Sequence, residues 1–217
     1  MMKEENLKKS FEPLSELFYS RNALTLAKEV LGKYIIRNYN NELLIVRIVE
    51  TEAYHEIGDP ACHAFNGKTE RNSVMFESPG MLYVYFTYGM HYCMNLVAEP
   101  AGTAAAVLIR AAEPVCGIST MKKLRTKKSK QGSAKTLFDE DIASGPAKLC
   151  QGLAITNQQN GANVKDFSKS EIYLAQKINA PKILISEIIE TTRVGIKKGT
   201  ELPWRFYLKD SICVSRI

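Results

Sequence analysis

Between Leu43 and Tyr54 the chain alternates in the two-residue period of a strand, which puts Leu44, Val46, Ile48, Glu50, Glu52 and Tyr54 on one face. Ile45, Arg47, Val49, Thr51 and Ala53 fall on the other. Two carboxylates and a phenol therefore share a face. Same-face neighbours lie about 6.5–7 Å apart, so the carboxylates need not share one proton, and one can pair structurally while the other works. The plain alternative is that both are strand-end carboxylates held by Arg or Lys. Further on, Met81 to Thr87 alternates again, with Met81, Tyr83, Tyr85 and Thr87 on one face and Leu82, Val84 and Phe86 on the other. Tyr88-Gly89-Met90 supplies a turn and His91 to Val97 a return strand, which predicts a β-hairpin with a tyrosine at its tip. β-propensity and core filling explain most of its tyrosines, but a tip tyrosine beside glycine has no core to enter.

Ala104 to Ala112 is an apolar strand interrupted by one charge, Arg110. A buried, unpaired guanidinium costs several kcal/mol, roughly, so Arg110 needs a partner, and Glu50 or Glu52 is the natural one. The remaining pattern is less regular. Residues 1–12 are polar and predict a flexible lead, and Leu14, Leu17 and Phe18 after Pro13 predict a short helix. Asn22 is a candidate N-cap for a helix bearing Leu24, Leu26, Ala27, Val30 and Leu31, which Gly32 would end. Lys33 to Arg37 predicts a strand and Asn38 to Glu42 a turn. His55 to Pro79 has no period and predicts a long ordered loop, of the kind that carries function. Met121 to Lys135 holds seven Lys or Arg and no acid, which predicts a solvated, partly disordered basic segment. Gly145 to Gly152 reads as a helix entered through proline, and Ile183 to Ile189 and Arg205 to Val214 as closing strands.

Composition narrows the class of protein. The 217 residues, 45% hydrophobic, are enough for a full core and are read as one domain, 1–217. Five cysteines at irregular spacing give no disulfide framework, no apolar run reaches the roughly 18 residues of a membrane span, and the N-terminus lacks a secretory signal, so an intracellular protein is expected. A net charge of +6 favours a polyanionic partner. No phosphate-binding loop, dinucleotide fingerprint, nucleophile elbow, zinc-deaminase pattern or Cys-x-x-Cys pair occurs. Cys62-His63 with His91 and Cys93 would make poor tetrahedral geometry, and neither metal nor cofactor is expected. What remains is a carboxylate candidate, one arginine, a loop histidine, stacking tyrosines and a basic surface. That set suits an enzyme that takes a base out of DNA.

Val49-Glu-Thr-Glu-Ala-Tyr54, His63, Leu82-Tyr-Val-Tyr-Phe-Thr-Tyr-Gly-Met90, Cys93-Met-Asn95, Leu108-Ile-Arg-Ala111, Ser144-Gly-Pro-Ala-Lys-Leu-Cys-Gln151 and Arg193-Val-Gly195 closely resemble the alkyladenine (3-methyladenine) DNA glycosylase family, from about Leu17 to Val214. The resemblance implies that Glu52 is the water-activating general base, with Arg110 and the backbone carbonyl of Val194 also holding the water. It implies a flipped base stacked between Tyr54 and Tyr85 with His63 at its edge, and Asn95 excluding ordinary guanine by clashing with its exocyclic amine. Tyr88 would intercalate, with Met90 beside it, while the Gly-Pro-x-Lys-Leu block would be structural or phosphate-binding. The 55–62 loop, Glu99 to Thr103 and residues 121–135 depart from the family pattern and bear on substrate range rather than on the reaction.

Elements and resemblance together predict a single α+β domain: a curved, mostly antiparallel, partly open barrel-like sheet with flanking helices and a protruding hairpin. The expected activity is hydrolytic release of alkylated, deaminated or etheno purines from duplex DNA by a monomer, in the cytoplasm or nucleoid of a bacterium or the nucleus of a eukaryote. With no lysine in the blocks expected to line the pocket, water is the expected nucleophile and no lyase step is expected. A non-catalytic damaged-DNA binder, or an RNA-binding protein, would keep the tyrosines and the basic surface without needing Glu52 and Arg110 together.

Overall fold

A computed structural model describes residues 7–126, 136–167 and 170–215. Within them the strands are β1 (Phe11–Pro13), β2 (Tyr34–Tyr39), β3 (Glu42–His55), β4 (Leu82–Thr87), β5 (His91–Val97), β6 (Ala105–Cys116), β7 (Ile172–Lys177), β8 (Ile188–Thr191) and β9 (Arg205–Leu208). The α-helices are α1 (Glu16–Tyr19), α2 (Ala23–Glu29), α3 (Ile118–Arg125) and α4 (Pro146–Gly152). The strands form one antiparallel sheet in the order β1-β7-β2-β3-β6-β5-β4, with β9 joined to β3 and β8 to β9. It is an α+β fold whose sheet stays open rather than closing into a barrel.

Local chemistry places these elements. The side chain of Asn22 accepts the Leu24 N–H and caps α2, as its position predicts. Asn40 and Asn41 both take positive φ, the requirement of the two-residue turn that joins Tyr39 to Glu42. Pro146 occupies the first turn of α4, where a missing N–H costs nothing. α2 lies on β3 and β6, α4 on β5 and β6, and α3 on α4. This face of the sheet holds the main core, to which β4 sends Leu82 and Val84, β5 sends Met94 and Leu96, and β6 sends Ala105, Val107 and Ile109. The opposite face of β4, β5 and β6 carries Tyr83, Tyr85, Cys93, Asn95, Ala106, Leu108 and Arg110 and lines a cavity.

β3 departs from the strict alternation that its sequence predicts. Its register with β6 slips three times, passing over Val115 on β6, then Val49 on β3 and Arg110 on β6. Ile48 and Val49 consequently both enter the main core, Ala53 follows them, and the Thr51 hydroxyl donates to the Ala27 carbonyl of α2. Glu50, Glu52 and Tyr54 still share a face, but it is the cavity face, opposite to that of Leu44, Val46 and Ile48. The same irregularity lets β3 change partners, from β2 at Glu42 to Arg47 to β9 at Glu50 to Glu52. β-bulges that re-aim side chains in this way concentrate beside active sites.

Other expectations also change. Residues 1–12 are not all a loose lead: Phe11 is buried and pairs with Lys177 across the β1–β7 edge. β7, which the sequence reading passed over, is a buried inner strand between β1 and β2. The basic segment begins as helix, since Met121 is fully buried in α3 and Lys122 pairs with Asp139 at 2.6 Å. Residues 127–135, the rest of that expectation, lie outside the described residues. Of the closing strands, residues 185–187 form a single 3-10 turn ahead of β8, and β9 ends at Leu208. The tail beyond it folds back onto Glu50 instead.

Candidate active site

Two carboxylates two residues apart on β3 are both fully buried, and the surroundings give them different tasks. Glu50 is enclosed by donors: Arg110 Nε at 2.9 Å and Arg205 Nε at 2.7 Å reach its Oε1, as does the Ser215 hydroxyl at 3.0 Å. The Ser215 N–H donates to its Oε2 at 2.7 Å. Glu52 receives fewer. Its Oε1 accepts the Val194 N–H at 2.7 Å and faces Arg110 Nη1 at 3.1 Å, while its Oε2 accepts the Tyr54 hydroxyl at 2.7 Å. Arg110 thus bridges both carboxylates from the bulge in β6. Burial pulls the guanidinium pKa down, but the charges of Glu52 and Glu50 more than offset this and leave it raised. Two acids facing two arginines form a near-neutral cluster, the condition under which charges tolerate burial.

In front of Glu52 lies a cavity of about 580 Å³, whose wall includes Tyr54, His63, Tyr85, Asn95, Arg110, Tyr88 and Val194. Seven of the nine residues singled out from the sequence thus border one space. Glu52 stands just behind this wall, with 0% exposure. Met90 is outside it, 63% exposed beside the hairpin tip. Tyr88 at that tip is 82% exposed, and both Tyr88 and Gly89 adopt positive φ in the turn closed by Met90 N–H to the Thr87 carbonyl. A tyrosine costs energy in that conformation, whereas glycine does not.

The aromatic wall is built in layers. His63 Nδ1 lies 2.9 Å from the Tyr83 hydroxyl, and its ring meets the Tyr85 ring edge-on at 4.6 Å between centroids. Burial, and then Arg71, lower the His63 pKa, so the ring is neutral at pH 7 and offers one donor and one acceptor. Burial pushes Tyr83 up to about 12 and raises Tyr85 further. Asn95 donates to the Tyr83 carbonyl at 3.0 Å, which fixes its amide plane. The loop holding His63 is tied by Asn72, which donates to the carbonyls of His63 and Gly67 at 2.9 and 3.0 Å.

Several contributors were not foreseen. Arg193 grips Asp59 with two bonds of 2.6 and 2.7 Å, both side chains 0% exposed, and lies 4.6 Å from the centroid of the Tyr54 ring. Asp59 had only its place in an irregular loop to recommend it. Ser215 closes on Glu50 from the end of the chain. Lys148, in the Gly-Pro-x-Lys-Leu block, borders the cavity and contacts the Ser144 hydroxyl at 2.9 Å. This corrects the expectation that no lysine from the motif blocks lines it. The start of α4 brings that block to the cavity, a placement that depends on tertiary packing alone. Among the described residues no group of three or more His, Cys, Asp or Glu could hold a metal ion, and no helix is long and apolar enough to cross a membrane.

A buried carboxylate oriented by an arginine and a backbone amide, behind an aromatic-walled cavity flanked by an exposed hairpin, is the arrangement expected of enzymes that act on an extruded nucleobase. Comparison with known proteins agrees. The Methylpurine-DNA glycosylase family model matches residues 17–212. A "Putative 3-methyladenine DNA glycosylase" of Carboxydothermus hydrogenoformans is 50% identical over 203 residues, covering 94% of this chain and 98% of its own. Proteins of the same name from Chlorobium luteolum (46% identical, 94% and 96% covered) and Francisella tularensis (45% identical, 88% and 92% covered) are similar along nearly their whole length. The chain belongs to the methylpurine-DNA glycosylase family, whose members cleave N-glycosyl bonds in DNA.

Proposed function

We propose that this protein removes damaged purines from duplex DNA by hydrolysis, rotating the nucleotide out of the stack and seating its base between Tyr54 and Tyr85. The observation that supports this most directly is the state of Glu52. A carboxylate offers about four lone-pair sites; among the described residues three of those on Glu52 are engaged, two on Oε1 and one on Oε2, which leaves one on Oε2. A water bound there, steadied by Arg110 and the Val194 carbonyl, loses a proton to Glu52 as it attacks the sugar carbon. The same carboxylate stabilises the oxocarbenium-like charge that develops as the bond to the base breaks.

Alkylated cationic purines leave without further help, and deaminated or etheno purines need protonation at the base. Asn95, its amide already fixed by the Tyr83 carbonyl, rejects ordinary guanine through that base's exocyclic amine. Tyr88, with Met90 beside it, fills the gap left in the duplex. The protein works as a monomer on DNA and carries no lyase step: the Lys148 ammonium is engaged with Ser144 and faces Asp141 at 3.6 Å, so it is better suited to a phosphate than to the sugar. Base release from duplexes bearing one alkylated, deaminated or etheno purine tests the reading. Glu52→Gln should bind such duplexes within about tenfold of the unaltered protein, roughly 1.4 kcal/mol, while single-turnover excision falls by orders of magnitude. Near-normal excision by that variant would remove Glu52 as the base.

A further inference from the structure

A surface on which a base stacks needs a ring, and Tyr54 carries more than that. Its hydroxyl donates to Glu52 Oε2 at 2.7 Å, from the same face of β3. The ring is also restrained. Arg193 sits 4.6 Å from its centroid and is itself held by Asp59 and by the Ala53 carbonyl at 3.0 Å. Oε1 of Glu52 is occupied by Val194 and Arg110, so the Tyr54 hydroxyl is the described donor that fixes the other oxygen.

We infer that the Tyr54 hydroxyl is a positioning group for Glu52, holding the carboxylate at a fixed rotation behind the cavity wall. The inference rests on the reading of Glu52 as general base. It makes the side chain that receives the flipped base the same one that sets the water-activating carboxylate. A poorly seated base that tilts the ring therefore also disturbs the catalyst, which links recognition to chemistry within a single residue.

The charged and titratable groups around Glu52 are consistent with this role. Arg110 approaches from β6, and Arg193 acts from the loop after β8. Tyr85 of β4 and Cys93 of β5 feel the Glu52 charge, and both are raised, by burial first. Arg205 of β9 stands opposite Glu52 in register but sends its Nε to Glu50. Tyr54 itself is raised well above its ordinary value, by burial and then by the Glu52 charge, so it remains a proton donor throughout the range in which a carboxylate titrates.

Tyr54→Phe keeps the ring and removes only the hydroxyl. The measurement is single-turnover base release from a duplex containing an N-alkylated purine, followed across pH, with lesion binding and Tm measured alongside. Such a base departs without protonation, so the acidic limb of the profile reports the ionisable groups of the site, Glu52 and His63, rather than the base. Loss of an oriented, charge-assisted bond should lower the plateau rate by about tenfold or more, and should shift the acidic limb, because a donor to one group of the site has gone. Binding and Tm should stay near those of the unaltered protein. An unchanged plateau and limb would overturn the inference, and so would a lowered Tm with no shift of the limb, which would mark a purely structural bond. Glu52→Gln separates the two ideas. If it abolishes excision while Tyr54→Phe behaves normally, only the positioning role fails; if it retains excision, both fail.

Discussion

The backbone N–H of Val194 donates to Glu52 Oε1 at 2.7 Å, joining residues 142 positions apart in the sequence. The amide of Val194 grips the carboxylate, a contact separate from the water-holding role that the family resemblance implies for its carbonyl. The segment after β8 is part of the cavity wall, held there by Arg193 through Asp59 and through the Gly199 carbonyl at 3.2 Å. Displacing this segment should disturb Glu52 even though none of its side chains touches the carboxylate.

Glu50 and Glu52 should separate cleanly in a stability experiment. Glu50→Gln removes the charge that Arg110 and Arg205 share at Oε1, while Arg110 keeps its contact with Glu52, a loss of about 3–5 kcal/mol. Glu52→Gln leaves Arg110 still paired with Glu50 and should cost less. Thermal unfolding of both variants checks this, and a larger drop in Tm for Glu52→Gln would show the roles reversed.

Tyr88 should be dispensable for folding. At 82% exposure and φ +49° it has little packing to lose and a strained backbone to relieve. Tyr88→Gly should leave Tm unchanged or raise it, with a gain of up to about 1 kcal/mol. The same variant should weaken flipping, read from the fluorescence of an etheno base, most clearly for a lesion that remains well stacked. A melting temperature lowered by several degrees would place the tyrosine in a packed environment instead.

Lys148 borders the cavity and should meet a DNA phosphate. Its replacement by alanine should reduce the dependence of binding on log salt by about 0.9, the share of one phosphate contact. Borohydride trapping on a duplex with a preformed abasic site should yield no covalent complex. A trapped species that vanishes in Lys148→Ala would instead assign this lysine a nucleophilic role.

His63 should titrate below its ordinary 6.5, since partial burial and then Arg71 disfavour its cation. Between the folded and unfolded values the unfolded chain binds more protons, so this group contributes stability that is present above pH 6.5 and declines as pH falls below it. Arg71→Gln should raise the His63 value, measurable by NMR of the ring protons. An unchanged titration would mean that burial alone sets it.

Much of the site could be read along the chain because its parts are local. Strand alternation placed Glu50, Glu52 and Tyr54 on one face of β3, and the same rule sorted Tyr83 and Tyr85 from Leu82 and Val84 on β4. Tyr88-Gly89-Met90 marked a turn because glycine tolerates positive φ. A single charge in an apolar run demanded a carboxylate, and Arg110 found two.

Tertiary structure decided the rest, because the deciding contacts join positions far apart in sequence. Period-2 counting carried straight through Val49, but the bulge there exchanges the faces of β3, so the carboxylates turn away from Leu44, Val46 and Ile48 toward the cavity. Nothing in the sequence around Asp59 marks it as the buried partner of Arg193, 134 residues away. β7 escaped notice because a strand buried on both faces shows no alternation. The sequence alone determined which residue types could do the chemistry and which strands carry them. Which of the two acids is held by two arginines and which, among the described residues, receives fewer donors was fixed only when β6, β9, the segment after β8 and Ser215 closed around β3, since buried charge is set by the donors that surround it.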